Sequence, residues 1–383
     1  MRILHIISTL DPAAGGPAEG VRLLMGYKQE GYSGEVVTFD KPDAPYLQNL
    51  PFKVHALGPQ RWVYGYTPRL YPWLRRHRDH FDGFVVNGLW QYCGLATMLA
   101  LHGRKPYMVF THGMLDPYFK HAFPWKHIKK ILYWYPIEFW VLRNAFRVLF
   151  TTETERRLAE SSFALHHWRA AVVPYGVSGP TAPAQDDLET FYNTIPAVRD
   201  KTFLLFLGRI HRKKGCDLLI RAFCEVAQTN PDLHLVMAGP DQTNWGPALR
   251  ATAQKAGVAH RIHWPGILRD GAKWGAFRAA DAFILPSHQE NFGIAVAESL
   301  ACSTPVLLSD QVNVASQISA EQCGYVEPDT LDGTRRLISR WLATTPAERA
   351  DMRKRSEISF RKNFDMRQNA YAIIRLFDNA IQT

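Results

Sequence analysis

Three short stretches hold the residue types from which chemistry is built. The first reads Phe206-Leu-Gly-Arg-Ile-His-Arg-Lys-Lys-Gly215. A β-rich run ends at Gly208, and Arg209 and Lys214 lie on a loop that enters a helix near Asp217. Helix N-terminal amides, the helix dipole and two side-chain cations together favour an anion with several oxygens, such as a diphosphate. Taken alone, the stretch also reads as a solvated basic loop. The second, Pro286-Ser-His-Gln-Glu-Asn-Phe-Gly-Ile-Ala-Val-Ala-Glu-Ser-Leu300, carries Glu290 and Glu298 with Gly293 between them at the start of an expected helix. Carboxylates accept hydrogen bonds from vicinal hydroxyls, which suits a ribose or a hexose ring. Counted as helix, eight positions advance about 12 Å, enough to place one carboxylate near a sugar and one near a nucleoside. The plainer alternative makes Glu290 a first-turn charge and Glu298 an exposed helix residue. Against that, Glu298 stands in an otherwise apolar helix, where an unpaired carboxylate is costly. The third stretch is Thr111-His-Gly-Met114, at the end of an expected strand, where His112 is placed to meet a ligand or to serve the fold. Ahead of the first helix, Gly15-Gly16-Pro17 forms a small-residue loop that lets phosphates approach the backbone.

Positioning these stretches needs parallel strands alternating with helices. Short apolar runs at residues 2–7, 36–39, 54–57, 84–87, 108–111, 148–151 and 171–173 are expected strands, with a first helix at 18–25. A second series follows, with strands at 203–207, 234–238, 261–264, 282–285 and 306–308 and helices at 217–228, 247–256, 274–279 and 294–302. Between them, residues 176–200 turn rich in Pro, Ala, Thr and acids and read as a linker. The expected domains are 1–175, a linker at 176–200, 201–363, and a terminal amphipathic helix at 364–383 with Ala370, Ile373, Ile374, Phe377 and Ile381 on one side. Two doubly wound units would present their strand ends to a cleft between them.

A length of 383 residues suits two cores, and 46% hydrophobic with 21% charged residues suits a folded chain. The formal charge of +10 points to anionic partners. Zinc-finger spacing, an RNP-like strand and long Lys/Arg runs are missing, which argues against nucleic acid. The five cysteines are scattered without a C-x-x-C pair, so free thiols in a reducing compartment are expected. With no secretory-type start and no spanning apolar run, the expected address is cytoplasmic.

Gly208-Arg-x4-Lys-Gly followed by Glu290-x7-Glu298 resembles the retaining glycosyltransferases of family 4. The resemblance extends to the Gly15-Gly16 loop, His112-Gly113, Asp281-Ala-Phe-Ile-Leu-Pro-Ser and Cys302-Ser-Thr-Pro-Val. It implies the GT-B fold, α/β with two Rossmann-like domains facing a central cleft, and a terminal helix that crosses back to the first domain. It further implies that Arg209 and Lys214 hold the diphosphate of a nucleotide-sugar donor, either UDP-hexose or GDP-mannose. Glu298 would bind ribose hydroxyls, and Glu290 would contact the donor sugar with help from the amides of Asn291, Phe292, Gly293 and Ile294. His112 would lie beside the sugar, and Gly15 and Gly16 would admit the diphosphate. The stretch after Val306, Leu-Leu-Ser-Asp-Gln-Val-Asn, departs from the glycine-rich version common in the family. No carboxylate pair can be assigned as acid and nucleophile, and the leaving phosphate would take the acceptor proton on the same face. Without an Asp-x-Asp motif, no metal or other cofactor is expected. The acceptor would be a glycan or lipid-linked glycan in bacterial surface polysaccharide or lipopolysaccharide synthesis.

Residues 118–140 mix Lys120, Lys126, Lys129 and Lys130 with Phe119, Phe123, Trp125, Trp134 and Trp140. Peripheral contact with an anionic membrane, at the inner face of the plasma membrane, is the expectation, although Pro124 and Pro136 limit the length of any amphipathic helix. A helix with aromatic core contacts and a solvated basic side is the alternative. Two other functions share the pattern: a phosphorylase or sucrose-type synthase of the same fold, and a non-catalytic nucleotide-sugar-binding subunit.

Overall fold

A computed structural model describes the chain apart from residues 28, 29, 123, 382 and 383, and apart from the side chains at 119, 121, 368, 369 and 379–381. Phe119, Phe123 and Ile381, named above, therefore lie outside the described side chains. The chain divides into two compact units, residues 1–176 with 366–383, and residues 177–365.

In the first unit, β1 (Arg2–Ile7), β2 (Ser33–Thr38), β3 (Lys53–Ala56), β4 (Gly83–Asn87), β5 (Tyr107–Phe110), β6 (Arg147–Phe150) and β7 (Ala170–Val172) form a parallel sheet in the order β3-β2-β1-β4-β5-β6-β7. Side chains alternate across a strand, so each strand feeds two layers. Leu4, Ile6, Phe84, Val86 and Val109 enter one core, while Ile3, Val85, Met108 and Phe110 enter the other. The terminal helix Met366–Ile381 closes the second layer with Ile373 and Phe377. Each fully buried aliphatic or aromatic side chain contributes about 1.5–3 kcal/mol, which is why near-continuous apolar strands select this two-sided covering.

In the second unit, β8 (Thr202–Leu207), β9 (Leu233–Ala238), β10 (Ile262–Gly266), β11 (Ala282–Leu285), β12 (Val306–Ser309) and β13 (Gly324–Glu327) form a parallel sheet in the order β10-β9-β8-β11-β12-β13. β13 has only the Gly-Tyr-Val-Glu pattern and was not expected from the sequence. The segment expected as a linker is a second correction. Ala184–Thr194 is a helix of the second unit, with Phe191 and Asp187 buried. It packs so tightly on the helix Asp270–Ala279 that Gly275 meets the Asp187 backbone carbonyl, and Arg278 pairs with the Asp187 carboxylate at 3.2 Å. Pro183 precedes the helix and Asp186 and Asp187 lie in its first turn, where acids suit the helix dipole, so the segment is a helix start rather than a solvated tether.

In each sheet the order in which strands are added reverses once. In the first unit the reversal lies between β1 and β4, in the second between β8 and β11. Loops leaving those strands lie where ligands collect in open parallel sheets. In the second unit they are the stretches bearing Lys214 and Glu290.

Candidate functional site

Of the residues named from sequence, Lys214 and Glu290 meet directly. The Lys214 ammonium donates to Glu290 Oε2, and both side chains are mostly buried, at 17% and 16% exposure. The loop after β8 is held for this purpose. Arg212–Lys214 forms a single 3-10 turn, and Gly215 follows at φ 65°, with the Pro286 carbonyl where a side chain would stand. The Lys213 carbonyl accepts from the His288 amide at 2.9 Å, which ties the β8 loop to the β11 loop. Glu290 is fixed from the other side: its amide donates to the Gln311 carbonyl, and its carbonyl accepts from the Asn313 amide. The segment that departs from the glycine-rich family pattern is thus the one that clamps Glu290. Burial, then Lys213 and Arg209, push the Lys214 pKa down to about 7, while the paired carboxylate opposes that shift and favours the charged form. Arg209 is exposed at the same loop.

Glu290 and Glu298 do not share one helix. The helix spans Ile294–Ala301 and starts only after Gly293, at φ 77°, so the 12 Å spacing inferred from helical rise does not apply. Glu290 is held in an isolated bridge to Val312 instead. Glu298 is 7% exposed and accepts from Lys273 at 2.6 Å, so it is not an exposed helix charge. Lys273, which the sequence reading missed, also lies 4.4 Å from the Trp274 ring centre. Around Gly293 the roles divide. Phe292 buries its ring against Phe364, and the Asn291 side chain accepts from Asn313 at 3.2 Å. Gly293 and Ile294 contribute the amides at the helix start, which lack intrahelical partners.

In the first unit, Gly15 adopts φ 91° and caps the helix Gly16–Gly26, and nothing lies within 4 Å of where a side chain on Gly15 or Gly16 would stand. That loop is anchored by Asp40, whose carboxylate accepts from the Leu10 amide and from the Thr9, Thr38 and Tyr46 hydroxyls. His112 follows β5 at φ 50°. Beneath it, buried Glu155 accepts from Thr111 Oγ1 and the Gly113 amide, each at 2.6 Å, and from Thr151. Glu155 was missed, although Thr152-Glu-Thr-Glu155 is a visible helix-start signal and Thr152 does cap that helix. Asn87 and Tyr175, the two partners of the His112 ring, had no sequence signal at all. Burial, then His5, push His112 down to about 3, so the ring is neutral near neutrality.

The stretch 118–140 is corrected in part. Trp134 is fully buried and Pro136 lies in the π-helical turn Trp134–Glu138. Lys130 turns over the Trp90 ring at 4.7 Å rather than joining an outward basic face. The helix Pro124–Tyr133 buries none of its side chains and exposes Trp125, Ile128 and Leu132. Among the described residues no group of three His, Cys, Asp or Glu could hold a metal ion, and no helix is long and apolar enough to cross a membrane. The five cysteines are free and buried.

Two family models match: a glycosyl transferase 4-like domain over residues 15–176, and glycosyl transferases group 1 over residues 189–358. The chain is a family 4-type glycosyltransferase. The matched regions lie one in each parallel-sheet unit, as the GT-B architecture requires. This glycosyltransferase is 28% identical over 266 residues to a D-inositol 3-phosphate glycosyltransferase of Kineococcus radiotolerans, covering 63% of the chain and 59% of that protein. It is 30% identical over 179 residues to the protein so named in Actinosynnema mirum, covering 44% of the chain and 42% of that protein. The matches therefore span about half the length of these relatives. In fold it is similar to sucrose-phosphate synthase from Thermosynechococcus elongatus, with a TM-score of 0.78 and 20% identity over 100% of this chain and 99% of the other. Anabaena Alr3699/HepE in complex with UDP-glucose aligns with a TM-score of 0.77 and 17% identity over 99% of this chain and 100% of that one.

Proposed function

We propose that this glycosyltransferase moves a hexose from a nucleotide-sugar donor to a hydroxyl of a glycan or lipid-linked glycan, with retention at the anomeric carbon. One observation carries the reading: the Lys214–Glu290 ion pair joins the two loops that leave β8 and β11 at the reversal of the second sheet. An incoming diphosphate takes the ammonium that Glu290 holds in its absence, and Arg209 is exposed on the same loop to add a second cation. Glu290 is then released to accept from sugar hydroxyls. Glu298, paired with Lys273, accepts from the ribose. Gly15 and Gly16 offer an open backbone to the phosphates, and His112 is assigned to the donor sugar. UDP-hexose and GDP-mannose are both candidate donors, and the likeness to a structure solved with UDP-glucose supports the first.

In the transfer, the bond from the anomeric carbon to the β-phosphate oxygen breaks and a bond to the acceptor oxygen forms on the same face. The acceptor proton passes to the departing phosphate. Charge grows on that phosphate as the bond lengthens, so preorganised Arg209, Lys214 and the amides at Gly293 and Ile294 stabilise the transition state more than the ground state. These cations supply the role that a divalent ion fills elsewhere, and the reading needs no metal. Work at the inner face of the plasma membrane, in surface polysaccharide or lipopolysaccharide assembly, fits the exposed apolar residues of Pro124–Tyr133 and the absence of acidic residues from 118 to 137.

Calorimetric titration with UDP, GDP and ADP, then with their sugar conjugates, tests this reading with and without EDTA. Binding of one nucleotide, insensitive to EDTA and followed by transfer, is the expected result. Failure of all three to bind would remove the assignment.

A further inference from the structure

His112 has both ring nitrogens engaged inside its own unit, and the partners fix which nitrogen carries the proton. Asn87 sets the first of two constraints, and Tyr175 the second. Its Nδ2 lies 3.2 Å from the Val85 carbonyl and 3.4 Å from the Ile6 carbonyl, which accept only. The amide oxygen Oδ1 is thereby turned to His112 Nε2 at 3.2 Å, and an oxygen in that position requires an N–H. A neutral imidazole protonated on Nε2 has a bare lone pair on Nδ1. That lone pair is met by the Tyr175 hydroxyl, a donor whose proton is held firmly because burial raises its pKa well above the ordinary value.

The same direction continues inward. Asn87 Nδ2 also reaches His5 Nδ1 at 3.5 Å, so His5 too is protonated on Nε2, which donates to the Tyr32 hydroxyl at 3.3 Å. Tyr32 in turn donates to Met25 Sδ at 3.8 Å. Each donor in this series meets acceptors only, with Asn87 Nδ2 shared among the Val85 and Ile6 carbonyls and His5 Nδ1, and reversing the Asn87 amide would set its oxygen against those lone pairs. Packing holds the ring as well. Phe110, His112 and Tyr175 form a stack, with ring centres 4.7 Å apart for the first pair and 5.5 Å for the second. Gly20 is the floor under Tyr175, where any side chain would strike the ring.

We propose that Tyr175 and Asn87 are positioning residues that lock His112 as a neutral, Nε2-protonated ring and so fix the peptide at residues 112–113. The lock serves the sugar transfer proposed above and rests on that reading for its purpose, but not for its geometry. The groups facing His112 are Tyr175 after β7, Asn87 on β4, His5 on β1 behind Asn87, and the Glu155 carboxylate below the Thr111 and Gly113 backbone. Glu155 is satisfied by its own donors and leaves the ring to the neutral partners.

The test is a two-bond 1H–15N correlation on the full chain labelled at histidine, with the His112 signals assigned by their loss in His112→Gln. The expected wild-type pattern is a protonated Nε2 and a bare Nδ1, unchanged between pH 5 and pH 8. Tyr175→Phe keeps the stack and removes only the hydroxyl. The expected change there is a mixture of the two neutral tautomers, since burial and His5 still hold the ring neutral, with kcat lowered ~10-fold and donor KM held within about twofold of wild type. A wild-type His112 protonated on Nδ1, or one that titrates between pH 5 and pH 8, overturns the lock. So does a Tyr175→Phe spectrum identical to wild type. A converted tautomer with unaltered kcat overturns the positioning role. The spectra require neither donor nor turnover, so a failed transfer assay cannot be mistaken for a failed lock.

Discussion

The Lys214 ammonium is the residue on which the second unit's chemistry turns. A cation shifted down to about 7 by burial and by Lys213 and Arg209 is only half charged at neutral pH unless a partner holds it. Glu290 is that partner in the free protein and a diphosphate displaces it, so above pH 7 binding draws a proton onto Lys214 to the extent that the diphosphate holds the charge more strongly than Glu290 does. Affinity should therefore fall as pH rises from 7 to 9, by up to about tenfold per pH unit. Calorimetry in buffers of different ionisation enthalpy should register the proton uptake. Lys214→Arg should abolish the pH dependence because a guanidinium stays charged throughout. Lys214→Ala should weaken nucleotide binding roughly 10–100-fold, the range of a charged hydrogen bond. Glu298 behaves differently. Removing it strands Lys273, so Glu298→Ala should cost stability as well as donor affinity. The cost should be about 1–3 kcal/mol, below that of a fully buried pair because Lys273 is 23% exposed. Urea unfolding checks this, and Lys273→Met added to the same chain should restore part of the loss. Arg209, Lys214, Glu290 and Glu298 were visible in the sequence because charge beside glycine at a strand end is a local pattern. Lys273, Asn87 and Tyr175 were not, since each acts on a residue at least 25 positions away.

At the scale of elements, strands and their order were legible where apolar runs are flanked by turn residues, as at β1, β8 and β11. The boundaries agree at β1 and β11 and elsewhere differ by one to three residues, because a strand's ends are set by pairing with its neighbours rather than by its own composition. β13 escaped notice for that reason: Gly324 lets it lie against the Val306 carbonyl, a tertiary fact. The helix Ala184–Thr194 was hidden by proline and acidic residues that serve its first turn. Loop geometry gives this scale its own prediction. Gly215 takes a left-handed conformation and abuts the Pro286 carbonyl, so Gly215→Ala must shift the β8 loop against the β11 loop. A loss of about 1–3 kcal/mol is expected by urea unfolding, together with weaker nucleotide binding, because Lys214 adjoins the displaced residue. Equal stability and affinity would show that the two loops are not held in mutual register.

At the scale of the whole molecule, the +10 charge and the exposed Trp125, Ile128 and Leu132 predict binding to vesicles that contain acidic lipid, diminished by salt and negligible on neutral vesicles. Trp125→Ala with Leu132→Ala should weaken that binding roughly tenfold or more, as two apolar side chains leave the interface. Co-sedimentation measures both effects, and salt-insensitive absence of binding would remove the membrane reading. The order in which the chain is made adds a different constraint. A ribosome delivers residues 177–365 complete before it delivers Ile373 and Phe377, so the later-made unit can finish first. At ordinary elongation rates the first unit waits roughly 10–40 s for its last helix. Throughout that interval Ile3, Val85 and Met108 lack their cover, and chaperone binding during synthesis should concentrate on the half of the protein that was born first.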